Sequence, residues 1–153
     1  VNGLPTPPIE GAGRALQGFG ARNRDNASIE ALVAAGHYAL AAEEYRQRAR
    51  NDRDRVGATM RRAALLAGPL DDPAGAGLEL TGLRAGAPLT LDEDLQVGPA
   101  LVNLHENQLA EPGRALTELS RLAERYAGTR RGVTLSRMLK SRKKVQFGGS
   151  PTS

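Results

Sequence analysis

Two histidines are the first place to look for chemistry in this 153-residue chain, which has no Cys. His37 and His105 are far apart and show no metal-ligand spacing to each other. Glu106 follows His105, but no His-Glu-x-x-His pattern surrounds it, and a lone imidazole without an orienting partner does not make a general base. The acidic pairs and triplets, Asp71-Asp72 and Asp92-Glu93-Asp94, invite a divalent cation. Neither has the spacing of a calcium loop, and both stand where helices begin, which acidic groups favour. Gly11-Ala-Gly13 and Gly18-Phe-Gly20 follow no strand and do not complete Gly-x-Gly-x-x-Gly. Neither Gly-x-Ser-x-Gly nor a Walker pattern occurs. The missing cysteines remove thiolate metal sites, a cysteine nucleophile and a disulfide scaffold. The expectation is a non-enzyme with no catalytic, metal-binding or cofactor-binding residues and no cofactor.

Charge is the stronger signal. The net +4 is the sum of three unequal parts. Residues 1–68 hold ten Arg/Lys against seven Asp/Glu (+3), residues 69–124 three against ten (−7), and residues 125–153 eight against none (+8). The basic run Arg130, Arg131, Arg137, Lys140, Arg142, Lys143 and Lys144 reads as a docking surface for an acidic protein or an anionic lipid surface. The plain alternative is a solvated helix end whose cations complement the helix dipole. Nucleic-acid binding through this helix is a further alternative, weakened by the lack of interleaved stacking aromatics.

The elements that position these groups read as helices. Residues 28–145 are rich in Ala, Leu, Arg and Glu, and β-branched residues never run together. Ser28 is the expected cap of a first helix with Ile29, Leu32 and Val33, which Gly36 ends. A second runs from Tyr38 to about Arg50. Asn51 or Asp52 is expected to cap a third, carrying Val56, Met60, Ala63 and Ala64. Asp72-Pro73 places a cap before a proline at the first helical position. Thr90 and Glu93 have capping-box spacing, and Pro99 is expected to kink or restart the helix that follows. Pro112 starts the next helix, Gly128 ends it, and a last one spans about Arg130–Lys143. No apolar run approaches the ~20 residues of a membrane span. Residues 1–27, with Pro5, Pro7 and Pro8, read as an extended or disordered arm, and residues 144–153 as a disordered tail. The start at Val1 fits initiator-Met removal, another start codon or cleavage of a leader.

An internal repeat runs through the helices. Ala41 is preceded by Gly36-His-Tyr38 and followed four residues on by Tyr45. Ala76 is followed at the same distance by Leu80, and Ala115 by Leu119. The small residue lets two helices approach, and the large one fills the space beside it. Gly36, Tyr38, Ala41, Tyr45, Ala76, Leu80, Ala115 and Leu119 are therefore the expected repeat-packing residues. On these motifs residues 28–143 resemble tetratricopeptide (TPR) repeats, most closely at Gly36–Tyr45. The later units depart from the pattern. The second has extra residues before its Ala, and the third lacks the turn glycine. The close, Leu119 through Tyr126-Ala-Gly-Thr to Leu139, is similar to the end of a repeat in bacterial envelope TPR-like proteins.

The resemblance implies an all-α fold, with antiparallel helix pairs stacked as a short TPR-like α-solenoid behind an N-terminal arm. It implies a non-enzymatic protein–protein interaction module, a scaffold or accessory structural subunit docking on a larger, membrane-associated assembly. The partners implied are proteins, with peripheral contact to anionic lipid or an acidic protein surface and no transmembrane segment. The compartment implied is the bacterial periplasm or the membrane periphery, the cytoplasm being the alternative.

Overall fold

The computed structural model of the chain describes residues 21–51 and 54–148. Residues 1–20, 52, 53 and 149–153, which include most of the expected 1–27 arm, half of the expected 144–153 tail and both Gly-x-Gly pairs, lie outside the described residues. Among the described residues there are seven α-helices and no strand. They are α1 (Ala21–Ala34), α2 (Tyr38–Asn51), α3 (Arg55–Ala67), α4 (Pro73–Gly86), α5 (Leu91–Asn107), α6 (Pro112–Arg125) and α7 (Arg130–Lys143). A π-helical turn, Lys144–Gly148, continues α7.

Local chemistry sets most of these boundaries. Gly36 closes α1 in the left-handed region at φ 85°, where a side chain is strained, and the His37 N–H returns to the Leu32 carbonyl at 2.8 Å. Asp72 accepts from the Gly75 N–H at 2.9 Å, with Pro73 at the first position of α4. Thr90 and Glu93 form the expected capping box, each side chain accepting from the other's N–H at 3.1 and 2.9 Å. Thr129 accepts from the Gly132 N–H at 3.0 Å and opens α7.

Three expectations need correction. Helix α1 begins at Ala21, inside the segment read as arm, so Ser28 lies within the helix and caps nothing. Asp54 caps α3 by accepting from the Gly57 N–H, Asn51 is the last residue of α2, and Asp52 lies outside the described residues. Helix α5 runs through Pro99 as one element, so the proline does not restart it. Pro99 lies on its exposed side, where a lost backbone bond costs least.

Each helix packs on the next, and α3 also touches α5. The contacts are broadest for α2 with α3, α3 with α4, α5 with α6 and α6 with α7. Short turns between them make sequence neighbours antiparallel. The core accordingly divides into three clusters along the array. Ile29, Ala41, Ala42, Tyr45 and Leu65 join α1, α2 and α3. Val56, Ala76, Leu80, Leu83, Val97 and Leu101 join α3, α4 and α5. Val102, Ala115, Leu119, Leu122, Tyr126 and Leu135 join α5, α6 and α7. No described helix is long and apolar enough to cross a membrane.

Candidate functional site

The residues expected to pack the repeats are mostly buried. Ala41, Ala76 and Ala115 lie on the alternate helices α2, α4 and α6, and all three are buried. Tyr45, Leu80 and Leu119, one helical turn on, are buried too. Gly36 is exposed in its turn and Tyr38 is half-buried.

Each of these large residues floors a groove between two flanking helices. The first groove, about 270 Å³, lies between α1 and α3, with Val33 and Ala64 as walls over Tyr45. The second, about 320 Å³, lies between α3 and α5, with Met60, Ala64 and Ala100 over Ala76 and Leu80. The third, about 250 Å³, lies between α5 and α7, with Pro99, Val102 and Met138 over Leu119 and Leu122. Ala64 belongs to the first and second grooves, and Asn103 to the second and third. The three therefore form one continuous row. Their surfaces are mainly apolar, edged by Glu30 and Arg61 at one end and by the Glu106–Arg142 pair at the other. Such a row offers apolar burial with a few polar groups to orient a guest.

A second constellation joins α4, α5 and α6. The Asp94 side chain is only 1% exposed. Its Oδ1 accepts from Arg121 Nη2 at 2.8 Å and from Arg84 Nη2 at 3.1 Å, and its Oδ2 lies 3.2 Å from Arg125 Nη1. Glu118 accepts from both terminal nitrogens of Arg84, at 2.6 and 2.7 Å, and from Arg121 at 2.9 Å. Arg125 also donates to the Leu89 carbonyl at 2.9 Å, and the Tyr126 hydroxyl donates to the Leu91 carbonyl. Burial alone would push the Asp94 carboxyl up. The hydrogen bond from Arg121 and the charges of Arg121, Arg84 and Arg125 outweigh it and hold the carboxyl below the usual range. Arg121 is pushed up for the matching reason, its bonds to Asp94 and Glu118 overcoming desolvation. These bidentate contacts fix three helices in one register.

No family model, no curated protein and no solved structure matches the chain.

The residues singled out for chemistry fall in ordinary places. His37 is exposed in the α1–α2 turn. His105 is mostly buried, with Nδ1 3.0 Å from Glu111 Oε2, so it ties the end of α5 to the start of α6. Asp72 and Glu93 serve as caps, and no described group of three or more His, Asp or Glu is placed to hold a metal. Asp94 also lies in the first turn of α5, as expected, but its side chain caps nothing and turns inward to the arginines.

The seven basic residues of the last helix and the turn that continues it separate into two groups. Arg142 leaves the expected docking surface: it grips Glu106 through Nε at 2.7 Å and Nη2 at 3.1 Å, fastening α7 to α5. Arg130, Arg131, Arg137, Lys140, Lys143 and Lys144 are exposed, and no described carboxylate pairs with them.

Proposed function

We propose that this chain is a non-enzymatic protein–protein interaction module, a degenerate TPR-like array acting as a scaffold or accessory subunit of a larger assembly. The helices pair as α1–α2, α3–α4 and α5–α6, with α7 covering the last pair. The observation that carries the reading is the row of three grooves, each floored by the large residue of the same sequence motif. A linear partner segment laid along the row would bury apolar side chains in successive grooves, beside Asn103 and Asn107 on the α5 rim, where the Asn107 amide donates to Asn103 Oδ1. The resemblance to envelope TPR-like proteins favours a bacterial periplasm or a membrane periphery for that assembly, the cytoplasm being the alternative.

Ala64 and Asn103 are exposed and each is shared by two grooves, so bulk added there blocks the row without entering the core. Native co-purification with mass spectrometry tests the proposal. The expected result is a stoichiometric partner that is retained by the wild-type chain and lost with Ala64→Arg and with Asn103→Arg. A chain that retains no stoichiometric protein, or variants that retain it fully, would overturn the reading.

A further inference from the structure

We propose that the outer face of α7 rests on an anionic lipid bilayer. Arg130, Val133, Arg137, Lys140 and Lys144 recur every three or four residues and form one stripe along the helix. The stripe lies opposite the residues that hold α7 to the array, namely Gly132, Leu135, Met138 and Arg142. All five stripe residues are exposed, and no described carboxylate neutralises its four cations. From Arg125 to the last residue the sequence has no acid at all.

The arrangement is electrostatically uncompensated at the start of the helix. Cations are favourable at a helix C-terminus and unfavourable at its N-terminus. Helix α7 carries Arg130 and Arg131 in its first turn with no acidic residue there. An external sheet of negative charge offsets that cost along the whole stripe, as a single capping anion would not. Between the Ala127–Gly128 turn and Val133, Arg137 and Lys140 there is also an open depression of about 400 Å³. It has room for a phosphate headgroup beside two cations.

Exposed apolar side chains favour a bilayer over a protein or a nucleic acid. Val133 is 53% exposed within the stripe, and Val145 and Phe147 are 76% and 77% exposed in the π-helical turn that prolongs it. Gln146, between them, donates to the Pro112 carbonyl at 3.2 Å and holds that turn against the body. Cations with valine and phenylalanine beside them are the composition of an interfacial helix, whose apolar groups enter the acyl boundary while its charges meet the headgroups. A nucleic acid would gain from several stacking aromatics, and Phe147 is the sole aromatic after Tyr126. A specific protein partner would be matched by a mixed polar rim, and this face has one sign of charge.

The proposal is independent of the groove reading, because the third groove and the stripe use opposite sides of α7. Vesicle flotation of the full chain tests it. Phosphatidylcholine vesicles containing phosphatidylglycerol should carry the protein at low salt and release it at high salt, and pure phosphatidylcholine vesicles should not carry it. Arg137→Gln with Lys140→Gln should lower partitioning about 30-fold, roughly fivefold for each cation lost near an anionic surface. Val145→Ser with Phe147→Ser should lower it about tenfold while leaving the salt dependence in place. Circular dichroism should show both variants folded, since none of the four side chains has a described partner. Equal binding to both kinds of vesicle, no binding at low salt, or unchanged binding by the Arg137/Lys140 variant would overturn the proposal. So would an RNA or DNA oligonucleotide that binds more tightly than the anionic vesicles and is not displaced by them.

Discussion

The chain uses arginine in two opposite ways within two neighbouring helices. On α6, Arg121 and Arg125 turn inward with Arg84 of α4 and are consumed by Asp94 and Glu118. On α7, Arg130, Arg131 and Arg137 stand in solvent with no described counter-charge. The residue type is the same, and its surroundings differ. Where a carboxylate is buried within reach, the guanidinium becomes a clamp whose planar fork fixes geometry. Where the chain runs out of carboxylates, it remains a surface. Local charge counts therefore mislead: Arg125 opens the basic segment of the sequence yet serves the acidic middle.

The strongest way to break this contrast is to remove the centre of the clamp. Asp94→Ala leaves Arg84 and Arg121 with Glu118 alone and takes from Arg125 its carboxylate partner. Urea unfolding should show a loss of about 3 kcal/mol, the low end for breaking a buried pair because the arginines are partly exposed. The acid limb sharpens the same point. The Asp94 carboxyl is held below its ordinary range in the folded chain, so its stabilisation is complete above about pH 4 and is lost as pH falls further. Asp94→Asn should flatten stability against pH in that window, and an unchanged acid limb would show that another carboxyl controls it.

A smaller effect is expected where α7 is seated. A Cβ on Gly132 would overlap the Tyr126 carbonyl oxygen, a backbone atom that cannot step aside. Gly132→Ala should cost about 2 kcal/mol and speed hydrogen exchange in α7 more than in α3. The smallest effect belongs to the stripe. Arg137→Gln with Lys140→Gln should change folding stability by less than about 0.5 kcal/mol, against the large change at Asp94. A loss comparable to that of Asp94→Ala would mean that the outer cations are structural after all.

Sequence alone exposed what depends on neighbours in the chain. Thr90 and Glu93, Asp72 and Pro73, and Gly36 mark helix ends because capping is settled within a few residues. The Ala-x-x-x-large motif at Ala41, Ala76 and Ala115 was legible by its spacing, and its large residues proved to floor the grooves. The start of α1 was not legible, since residues 21–27 carry no apolar periodicity and the first clear cap signal is Ser28. The clamp was not legible either. Asp94 meets Arg84 ten residues away and Arg121 27 away, and neither separation has a local signature. The one hint was the placing of Glu118, Arg121 and Arg125 at intervals of three and four beside the apolar face of α6.

Arg84 has a mechanical consequence. Among the described ion pairs it alone joins the first four helices to the last three, and the α4–α5 contact it spans is narrower than those on either side. Arg84 is thus a cross-brace at the narrowest seam of the array, beside the middle groove whose walls are α3 and α5, so it helps to hold the spacing that a guest seated there would meet.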